Sequence, residues 1–347
     1  MRAALYLDAG KVVVDDVPDP VLQQPTDAIV RVVRSCVCGS DLWAWRDTFK
    51  RAERSRLGHE FIGVVEKVGS DVGNLAPGDF VIAPFCYGDG TCEYCRAGLQ
   101  SSCLNGGGWG APGEDGAQGE ALRVPYAAAN LAVVPDGSPD LPEERLLALL
   151  SLSDVMATGL HGVRMAGVTE GSTVVVVGDG AVGLCAVLAA RAIAGAERVV
   201  LLSRHEARQG VGRRFGATDV VPQRGQEAID AVHDLIGLGA AHVVEAVGTP
   251  QSWETALGVA RDGGQVGAVG VPHVTPSIEL KPLVIRNLGV RGGIAPVGHY
   301  LPDLVRRVVA GELDPSPVFD RTLPLADISE AYGLMDRREA IKVALVP

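Results

Sequence analysis

The amino-acid sequence predicts a two-domain α/β protein, in which a β-rich, barrel-like domain is joined to a doubly wound parallel sheet. Three observations support this fold class. Short β-type runs separated by Gly and Pro fill residues 1–150, valine-rich runs alternate with helical stretches over residues 151–295, and residues 296–347 become irregular and proline-rich again. We therefore expect residues 1–150 and 296–347 to form the β-rich domain and residues 151–295 to form the parallel-sheet domain.

The β-rich domain is predicted from strands that are short and often interrupted. The runs at residues 28–33 and 61–65 combine β-branched residues with flanking turn formers, and residues 1–7 are a further expected strand; short strands of this kind are typical of an antiparallel barrel. A chain of 347 residues is long enough to give each of two domains its own core.

The parallel sheet is predicted from valine-rich runs that are nearly continuous. Such runs occupy residues 173–177, 198–202, 219–221, 242–246 and 264–269, and helical stretches occupy residues 181–194 and 206–215. Near-continuous valine runs that alternate with helices indicate strands buried on both faces of a parallel sheet.

The charge balance argues against two classes of partner. Lys and Arg number 31 against 42 Asp and Glu, a net charge of −11, whereas nucleic acids and anionic membranes bind basic surfaces. The richest apolar stretch, residues 181–196, is interrupted by Arg191, and the first residues lack the apolar core of a signal peptide. We expect a cytoplasmic protein with no nucleic-acid or membrane partner.

Two short segments offer ligands for a catalytic metal. Cys38 and Asp41 lie in one segment, and His59 and Glu60 lie in the other. Thiolate and imidazole are good zinc ligands, and a catalytic zinc takes three protein ligands with one position left for substrate. A third ligand is therefore expected from elsewhere in the chain.

Four of the seven cysteines lie between Cys86 and Cys103, a pattern that favours metal over disulfides in a chain without an export signal. Cys92, Cys95 and Cys103 supply three ligands of a structural zinc, and Asp89 supplies the fourth. Cys86 is the competing fourth ligand, and a reduced cluster without metal is the alternative.

A glycine-rich fingerprint follows the strand at residues 173–177. Gly178, Gly180 and Gly183 fit the G-x-G-x-x-G pattern, with Val182 inside it, immediately before a helix. In this context the glycines let the backbone approach a dinucleotide pyrophosphate at the helix N-terminus. The alternative is close helix–strand packing with no ligand.

The next strand ends without the acidic residue that usually binds the ribose of NAD. Ser203 and Arg204 stand there instead. A hydroxyl and a guanidinium suit a 2′-phosphate, which predicts NADP in preference to NAD. The alternative is a capping box in which Ser203 starts a helix and Glu206 completes it.

Together these motifs resemble the zinc-dependent alcohol dehydrogenase branch of the medium-chain dehydrogenase/reductase family. The resemblance extends over the whole chain and includes the segment at residues 153–159. It implies a GroES-like β-rich catalytic domain and a Rossmann cofactor domain. It also implies an enzyme that transfers hydride between an alcohol and its ketone or aldehyde, with zinc and a nicotinamide cofactor.

The resemblance also implies roles for single residues. Cys38, His59 and Asp154 match the ligands of the catalytic zinc, and Glu60 matches a glutamate that can approach or replace a ligand. Asp41 matches the carboxylate that orients the ligating imidazole.

Further roles implied by the resemblance concern proton transfer, cofactor and substrate. Ser40 matches the hydroxyl that receives the substrate proton, Thr158 a nicotinamide contact, and Lys342 a basic residue at the pyrophosphate. Many relatives carry a relay histidine where this chain has Trp43. We expect three aromatic residues to line an apolar substrate pocket, with core packing as the alternative: Trp43, Phe85 and Trp109.

Other functions remain open at this point. A polyol, sugar or amino-alcohol dehydrogenase of the same family would need polar groups near the zinc, and a protein of another class would bind NADP without catalysis. Family members are dimers or tetramers, and residues 288–294 form a plausible edge strand for pairing two copies. We expect a homodimer or a homotetramer.

Overall fold

The structure is a computed structural model that describes residues 1–111, 113–272 and 279–347. It divides into two compact units, of which one comprises Met1–Asp154 with Pro296–Pro347 and the other comprises Val155–Ala295. The predicted α/β fold, with a β-rich domain and a parallel-sheet domain, is confirmed. The first boundary falls between Asp154 and Val155 rather than after residue 150.

The first segment of the β-rich unit is built mainly from strands. The strands are β1 (Arg2–Asp8), β2 (Lys11–Asp16), β3 (Ala28–Cys36), β4 (Phe61–Val68), β5 (Phe80–Ile82), β6 (Cys86–Tyr87), β7 (Gly107–Gly108), β8 (Ala121–Val124) and β9 (Ala132–Val133). The helices are α1 (Leu42–Trp45), α2 (Glu93–Arg96), α3 (Ala127–Asn130) and α4 (Glu143–Ser151).

The parallel-sheet unit alternates strands and helices. Its strands are β10 (Thr173–Val177), β11 (Arg198–Leu202), β12 (Asp219–Val221), β13 (Ala240–Glu245), β14 (Ala260–Ala268) and β15 (Gly289–Gly292). Its helices are α5 (Val155–Met165), α6 (Ala181–Leu188, continued by a π turn), α7 (Glu206–Arg214), α8 (Gly225–Ile236), α9 (Pro250–Val259) and α10 (Leu280–Ile285).

The chain then returns to the β-rich unit. This last segment contains α11 (Val297–Val309), β16 (Arg321–Pro324), α12 (Ile328–Asp336) and β17 (Val343–Val346). It completes a seven-stranded sheet in the order β16-β17-β3-β4-β5-β9, with β8 also pairing with β3. All of these pairs are antiparallel except β16 with β17.

The sheet of the second unit is parallel throughout, in the order β12-β11-β10-β13-β14-β15. Val174, Val175 and Val176 at its centre are fully buried, which explains the uninterrupted valine run. The strand order reverses between β10 and β13, and ligands of such sheets bind outside the carboxyl ends of the strands at that point.

Across the described part of the chain, no single helix is long and apolar enough to cross a membrane, although the adjoining helices α4 and α5 would reach the required length together.

Candidate functional site

The β3–β4 ladder brings two predicted metal ligands to one end of its sheet. β3 ends at Cys36, just before Cys38, and β4 begins at Phe61, just after His59. Ser35 pairs with Phe61 in antiparallel register. Because paired strand ends lie side by side, Cys38 and His59 leave the sheet at the same place.

Asp154 and Glu60 complete a cluster of four ligand atoms at this end. Asp154 Oδ2 lies 3.6 Å from Cys38 Sγ and 3.6 Å from His59 Nε2, and Glu60 Oε1 lies 3.8 Å from the same nitrogen. All four ligand atoms lie within 4.8 Å of one another. Sulfur, nitrogen and carboxylate oxygen donors together suit zinc, so the residues present fit a catalytic zinc.

Asp41 determines which nitrogen of His59 faces the cluster. Its Oδ1 lies 3.4 Å from His59 Nδ1, and its Oδ2 accepts a hydrogen bond from the Cys38 amide at 2.9 Å. Burial would raise the pKa of Asp41, but the charge of His59 and the hydrogen bonds from His59 and the Cys38 amide lower it. The ionised carboxylate therefore keeps the hydrogen on Nδ1 and leaves Nε2 free to ligate.

The two strongest ligands hold protons that a metal must displace. Burial would lower the pKa of His59, but the charge of Asp41 and the hydrogen bonds with Asp154 and Asp41 raise it well above its usual value. Burial also raises the pKa of the Cys38 thiol. Since zinc binds thiolate and neutral imidazole, loading of this cluster releases protons.

Lys342 lies beside this cluster because β17 pairs with β3, with Ala344 opposite Cys36. Its ammonium donates to Glu60 Oε1 at 2.6 Å and to the Val37 carbonyl at 3.3 Å, and both charged side chains are only 1% exposed. The ammonium of Lys342 is therefore engaged by Glu60 in this structure. The expected contact of Lys342 with the cofactor pyrophosphate stays a prediction.

The four residues of the predicted structural zinc site also come together. The ligand atoms of Asp89, Cys92, Cys95 and Cys103 lie within 4.8 Å of one another, and Cys92 Sγ lies 3.7 Å from Cys103 Sγ. Three thiols and one carboxylate oxygen fit tetrahedral zinc. Within the described residues Cys86 does not join this group. Burial raises the pKa of its thiol to about 12.

Hydrogen bonds hold the Asp89 carboxylate in place. Its Oδ1 accepts from the amides of Thr91 and Cys92 at 2.7 and 2.9 Å, and its Oδ2 accepts from the Asn105 side chain at 2.6 Å. The bonds from Cys92, Thr91 and Asn105 lower the pKa of Asp89. A carboxylate satisfies these donors far better than a thiol, which gives aspartate a physical reason to stand here.

The glycine fingerprint forms the turn between β10 and α6. Gly178 has a φ of +122°, and a Cβ at Gly183 would lie 2.1 Å from the Gly178 carbonyl oxygen, so both positions require glycine. A Cβ at Gly180 would meet nothing within 4 Å, and no described side chain caps the first turn of α6, which contains Val182. Open space beside free helix N–H groups fits a pyrophosphate.

Asp179, inside this loop, places a carboxylate beside the end of β11, which has no acidic residue of its own. Ser203 Oγ donates to Asp179 Oδ2 at 2.9 Å, and the Arg208 guanidinium lies 3.5 Å from Asp179 Oδ1. The hydroxyl of Ser203 is therefore used by the loop, and no described side chain caps α7, which corrects the capping-box alternative. Arg204 is exposed beside this group.

Two of the aromatic residues predicted to line a substrate pocket lie in different surroundings. Trp109 packs in the core against Phe61 and Tyr87 and donates to the Pro84 carbonyl at 2.7 Å, which corrects its prediction as a pocket wall. The Phe85 ring, in contrast, lies edge-on to His59 with centroids 6.3 Å apart.

Ser40 and Trp43, which follow Cys38 in the chain, are both half-buried. The backbone carbonyl of Ser40 accepts a hydrogen bond from the Trp43 amide at 3.2 Å. Thr158 is buried on α5 in the other unit. The adjacent Gly159 permits close packing, since a Cβ there would lie 2.6 Å from the Ala186 amide of α6.

Sequence reasoning missed three buried polar residues near these sites. Gln118 and Tyr332 are linked to Asp41, and Glu245 at the end of β13 accepts the amides of Val247 and Gly248 at 2.9 and 2.8 Å. None of them belongs to a short motif. Of the three, only Glu245 could have been noticed in the local sequence, because it is an acidic residue at the end of the hydrophobic strand β13.

Comparisons with known proteins identify the family of this chain. Residues 24–136 match the family model described as alcohol dehydrogenase GroES-like domain, and residues 181–310 match the one described as zinc-binding dehydrogenase. A probable zinc-binding alcohol dehydrogenase of Mycobacterium tuberculosis is 34% identical over 100% of this chain and 89% of its own length.

Two solved structures are similar over nearly their full length. The alcohol dehydrogenase TADH from Thermus sp. ATN1 has a TM-score of 0.91 and 35% identity, with 100% of this chain and 99% of that chain covered. A putative zinc-binding dehydrogenase from Sinorhizobium meliloti 1021, bound to NADP, has a TM-score of 0.85 and 28% identity, with coverage of 100% and 99%. The chain thus belongs to the zinc-dependent alcohol dehydrogenases of the medium-chain dehydrogenase/reductase family.

Proposed function

We propose that this protein is a zinc-dependent alcohol dehydrogenase or carbonyl reductase that exchanges hydride between an alcohol and its ketone or aldehyde, with NADP(H) as the preferred cofactor. The observation that carries the proposal is the cluster of the buried Cys38 and Asp154 with the half-buried His59, in a chain that also holds a dinucleotide fingerprint. A zinc ion held by these residues would polarise the substrate oxygen as a Lewis acid.

The side chains around the cluster have separate tasks in this proposal. Asp41 holds the imidazole of His59 with Nε2 toward the cluster. The half-buried Ser40 hydroxyl accepts the proton of the substrate alcohol and passes its own hydroxyl proton on toward water, and the same transfers run backward in the reverse direction. Gly180 lets the backbone approach the cofactor pyrophosphate, which fixes the cofactor on α6.

The cofactor preference is supported by the charges that surround Ser203. Arg204 and Arg208 contribute two positive charges against the single negative charge of Asp179, which Arg208 already engages. A net positive site favours the 2′-phosphate of NADP. The Sinorhizobium meliloti relative was solved with NADP bound, which is consistent with this preference.

We expect the substrate to be apolar near its carbonyl group. The Phe85 ring lies against His59, and Trp43 replaces the relay histidine of many relatives. Aromatic walls suit an aliphatic or aromatic substituent better than a polyol.

The test is oxidation of NADPH and of NADH by the purified zinc-loaded protein with aliphatic, aromatic and polyhydroxy carbonyl compounds, with Cys38→Ser as the matched control. We expect zinc-dependent turnover of apolar carbonyls, a ratio of kcat/KM for NADPH over NADH above one, and no turnover by the variant. A ratio below one refutes the cofactor preference. Turnover confined to polyhydroxy compounds refutes the apolar substrate. No zinc-dependent turnover on any compound favours the inactive NADP-binding protein.

We also propose that two or four copies assemble through the free edge of β15. This strand ends its sheet, and neighbouring apolar side chains are strongly exposed: Leu280 (73%), Val284 (76%) and Ile285 (66%). An exposed apolar patch beside an open strand edge is suited to a second copy. Light scattering should show a dimer or tetramer for the natural protein and a smaller species for Val284→Glu. A monomeric natural protein would refute the assembly.

A further inference from the structure

A buried chain of polar side chains leads from His59 into the body of the β-rich unit. His59 Nδ1 lies 3.4 Å from Asp41 Oδ1, and Asp41 Oδ2 accepts from Gln118 Nε2 at 3.2 Å. The Gln118 Oε1 atom in turn accepts from the Tyr332 hydroxyl at 3.0 Å. The chain therefore links a predicted metal ligand to helix α12 through two side chains that no motif identifies.

The Gln118 side chain is held in one orientation. It is 0% exposed, its second Nε2 hydrogen is donated to the Cys36 carbonyl at 3.0 Å, and its backbone amide bonds to Leu57 O at 2.9 Å. The amide nitrogen faces two acceptors and the amide oxygen faces one donor, so only one assignment of nitrogen and oxygen satisfies every partner.

The backbone is shaped to receive this side chain. Gly58, the residue immediately before His59, has a φ of +86°, and a Cβ there would lie 2.4 Å from Gln118 Cγ. Any larger residue at this position would therefore displace Gln118. The glycine beside the ligand and the glutamine behind it form one packed unit.

The hydrogen bonds of Gln118 act on a buried carboxylate. Asp41 Oδ2 takes two donors, the Cys38 amide and Gln118 Nε2, so Oδ1 is left to the imidazole of His59. Bonds to a charged acceptor in a buried environment are stronger than neutral ones and fix its orientation. Outer partners of this kind set the orientation and basicity of a metal-ligating histidine.

We propose that Gln118 and Tyr332 are positioning residues for the zinc ligand His59, acting through Asp41. This inference rests on the proposed catalytic zinc site. Its alternative is that both residues only satisfy each other inside the core, in which case their loss changes stability and leaves metal binding as it is.

The experiment measures how fast zinc is released to a chromogenic chelator, and the visible spectrum of the cobalt-substituted protein, for three variants. Gln118→Leu keeps the size of the side chain and removes its hydrogen bonds, and Tyr332→Phe removes one hydroxyl. The matched control is Tyr6→Phe, since Tyr6 is a buried tyrosine of the same hydrophobic cluster as Tyr332.

We expect Gln118→Leu to weaken zinc binding at the catalytic site by about 10–100-fold, seen as faster release of zinc to the chelator, and to shift the cobalt spectrum. Tyr332→Phe should act in the same direction by a smaller factor, and Tyr6→Phe should leave both readouts unchanged. Zinc in the cysteine cluster of residues 89–103 should be released at the natural rate in all three variants.

Release of the catalytic zinc within twofold of the natural rate in both Gln118→Leu and Tyr332→Phe overturns the inference. If Gln118→Leu does not fold, Tyr332→Phe together with Gln118→Glu decides the matter, because Gln118→Glu places a second carboxylate against Asp41 and should weaken zinc binding further. Failure of the proposed function has a different signature, since the natural protein and Cys38→Ser would then contain equal amounts of zinc.

Discussion

Replacing Lys342 with methionine should strongly destabilise the β-rich unit. The substitution keeps most of the apolar stem and removes the ammonium that donates to Glu60 Oε1 at 2.6 Å. Both side chains are 1% exposed, and Glu60 Oε2 has no hydrogen-bond partner among the described residues, so the carboxylate would lose its main compensation. Removing one partner of a buried ion pair costs about 3–5 kcal/mol.

Lys342 itself stays charged over the working pH range. Burial would lower its pKa, but Cys36, Glu60 and Cys38 around it raise the pKa well above its usual value. A raised folded-state pKa means that the stabilisation is complete below the unfolded pKa of about 10.4 and is lost only as the pH rises beyond it. Burial raises the pKa of Glu60, and the loss of the ammonium raises it further, so the carboxylate of the variant takes up a proton more readily at low pH. The destabilisation of Lys342→Met should therefore be smaller at pH 6 than at pH 8.

Thermal and urea unfolding of the zinc-loaded protein provide the assay. A loss of about 3–5 kcal/mol corresponds to a fall in Tm of about 6–20 °C for a domain of this size. Lys281→Met, at an exposed lysine, should stay within about 0.5 kcal/mol of the natural protein. Glu60→Leu combined with Lys342→Met should recover most of the loss, because no unpaired charge remains.

The opposite result would support the cofactor contact that the sequence predicts for Lys342. If Lys342→Met unfolds like the natural protein while its KM for NADP rises, the ammonium binds the cofactor and the buried ion pair is not the main use of this lysine.

Three further outcomes are expected. Ser40→Ala should lower kcat by about 10²–10⁴-fold with little change in KM, as measured by steady-state kinetics, and unchanged turnover would remove Ser40 from proton transfer. Glu245→Ala should lower the free energy of unfolding by about 2–4 kcal/mol because two loop amides lose their acceptor, whereas Glu245→Gln should cost less than about 1 kcal/mol; equal losses in urea unfolding would contradict this. Burial and the hydrogen bond with Cys103 raise the pKa of Cys95 to about 12, so zinc that binds the cysteine cluster of residues 89–103 displaces the proton of this thiol. The apparent zinc affinity of this cluster, measured by chelator competition, should therefore rise from pH 6 to pH 8. An affinity that is flat with pH would show that Cys95 is not a ligand.

The architecture could be predicted because its signals are local and repeated. The valine run of β10 and the glycines of the next turn identify a buried parallel strand and its loop without any knowledge of the partners. The two clusters that could hold a metal ion could be predicted for a similar reason, since cysteine and histidine have few other reasons to occur in such short segments.

The contacts that could not be predicted join side chains that are distant in sequence. Glu60 and Lys342 are separated by 282 positions, and only the pairing of β17 with β3 makes them neighbours. Trp109 was assigned by position to a pocket, although packing against Phe61 and a hydrogen bond to Pro84 place it in the core. Local sequence contains no information on such contacts, because they depend on the complete sheet.

The register of β3 against β4 also has a consequence for synthesis of the chain. Cys38 and His59 become neighbours as soon as these two strands pair, whereas Asp154 follows later in the chain. At about 5–20 residues per second, Asp154 emerges roughly 5–20 s after His59. During that interval the thiol, the imidazole and the neighbouring Glu60 carboxylate would form a partial site, which copper would bind more tightly than zinc. Asp154, which arrives last, would complete the ligand set around the ion that the nascent site already holds.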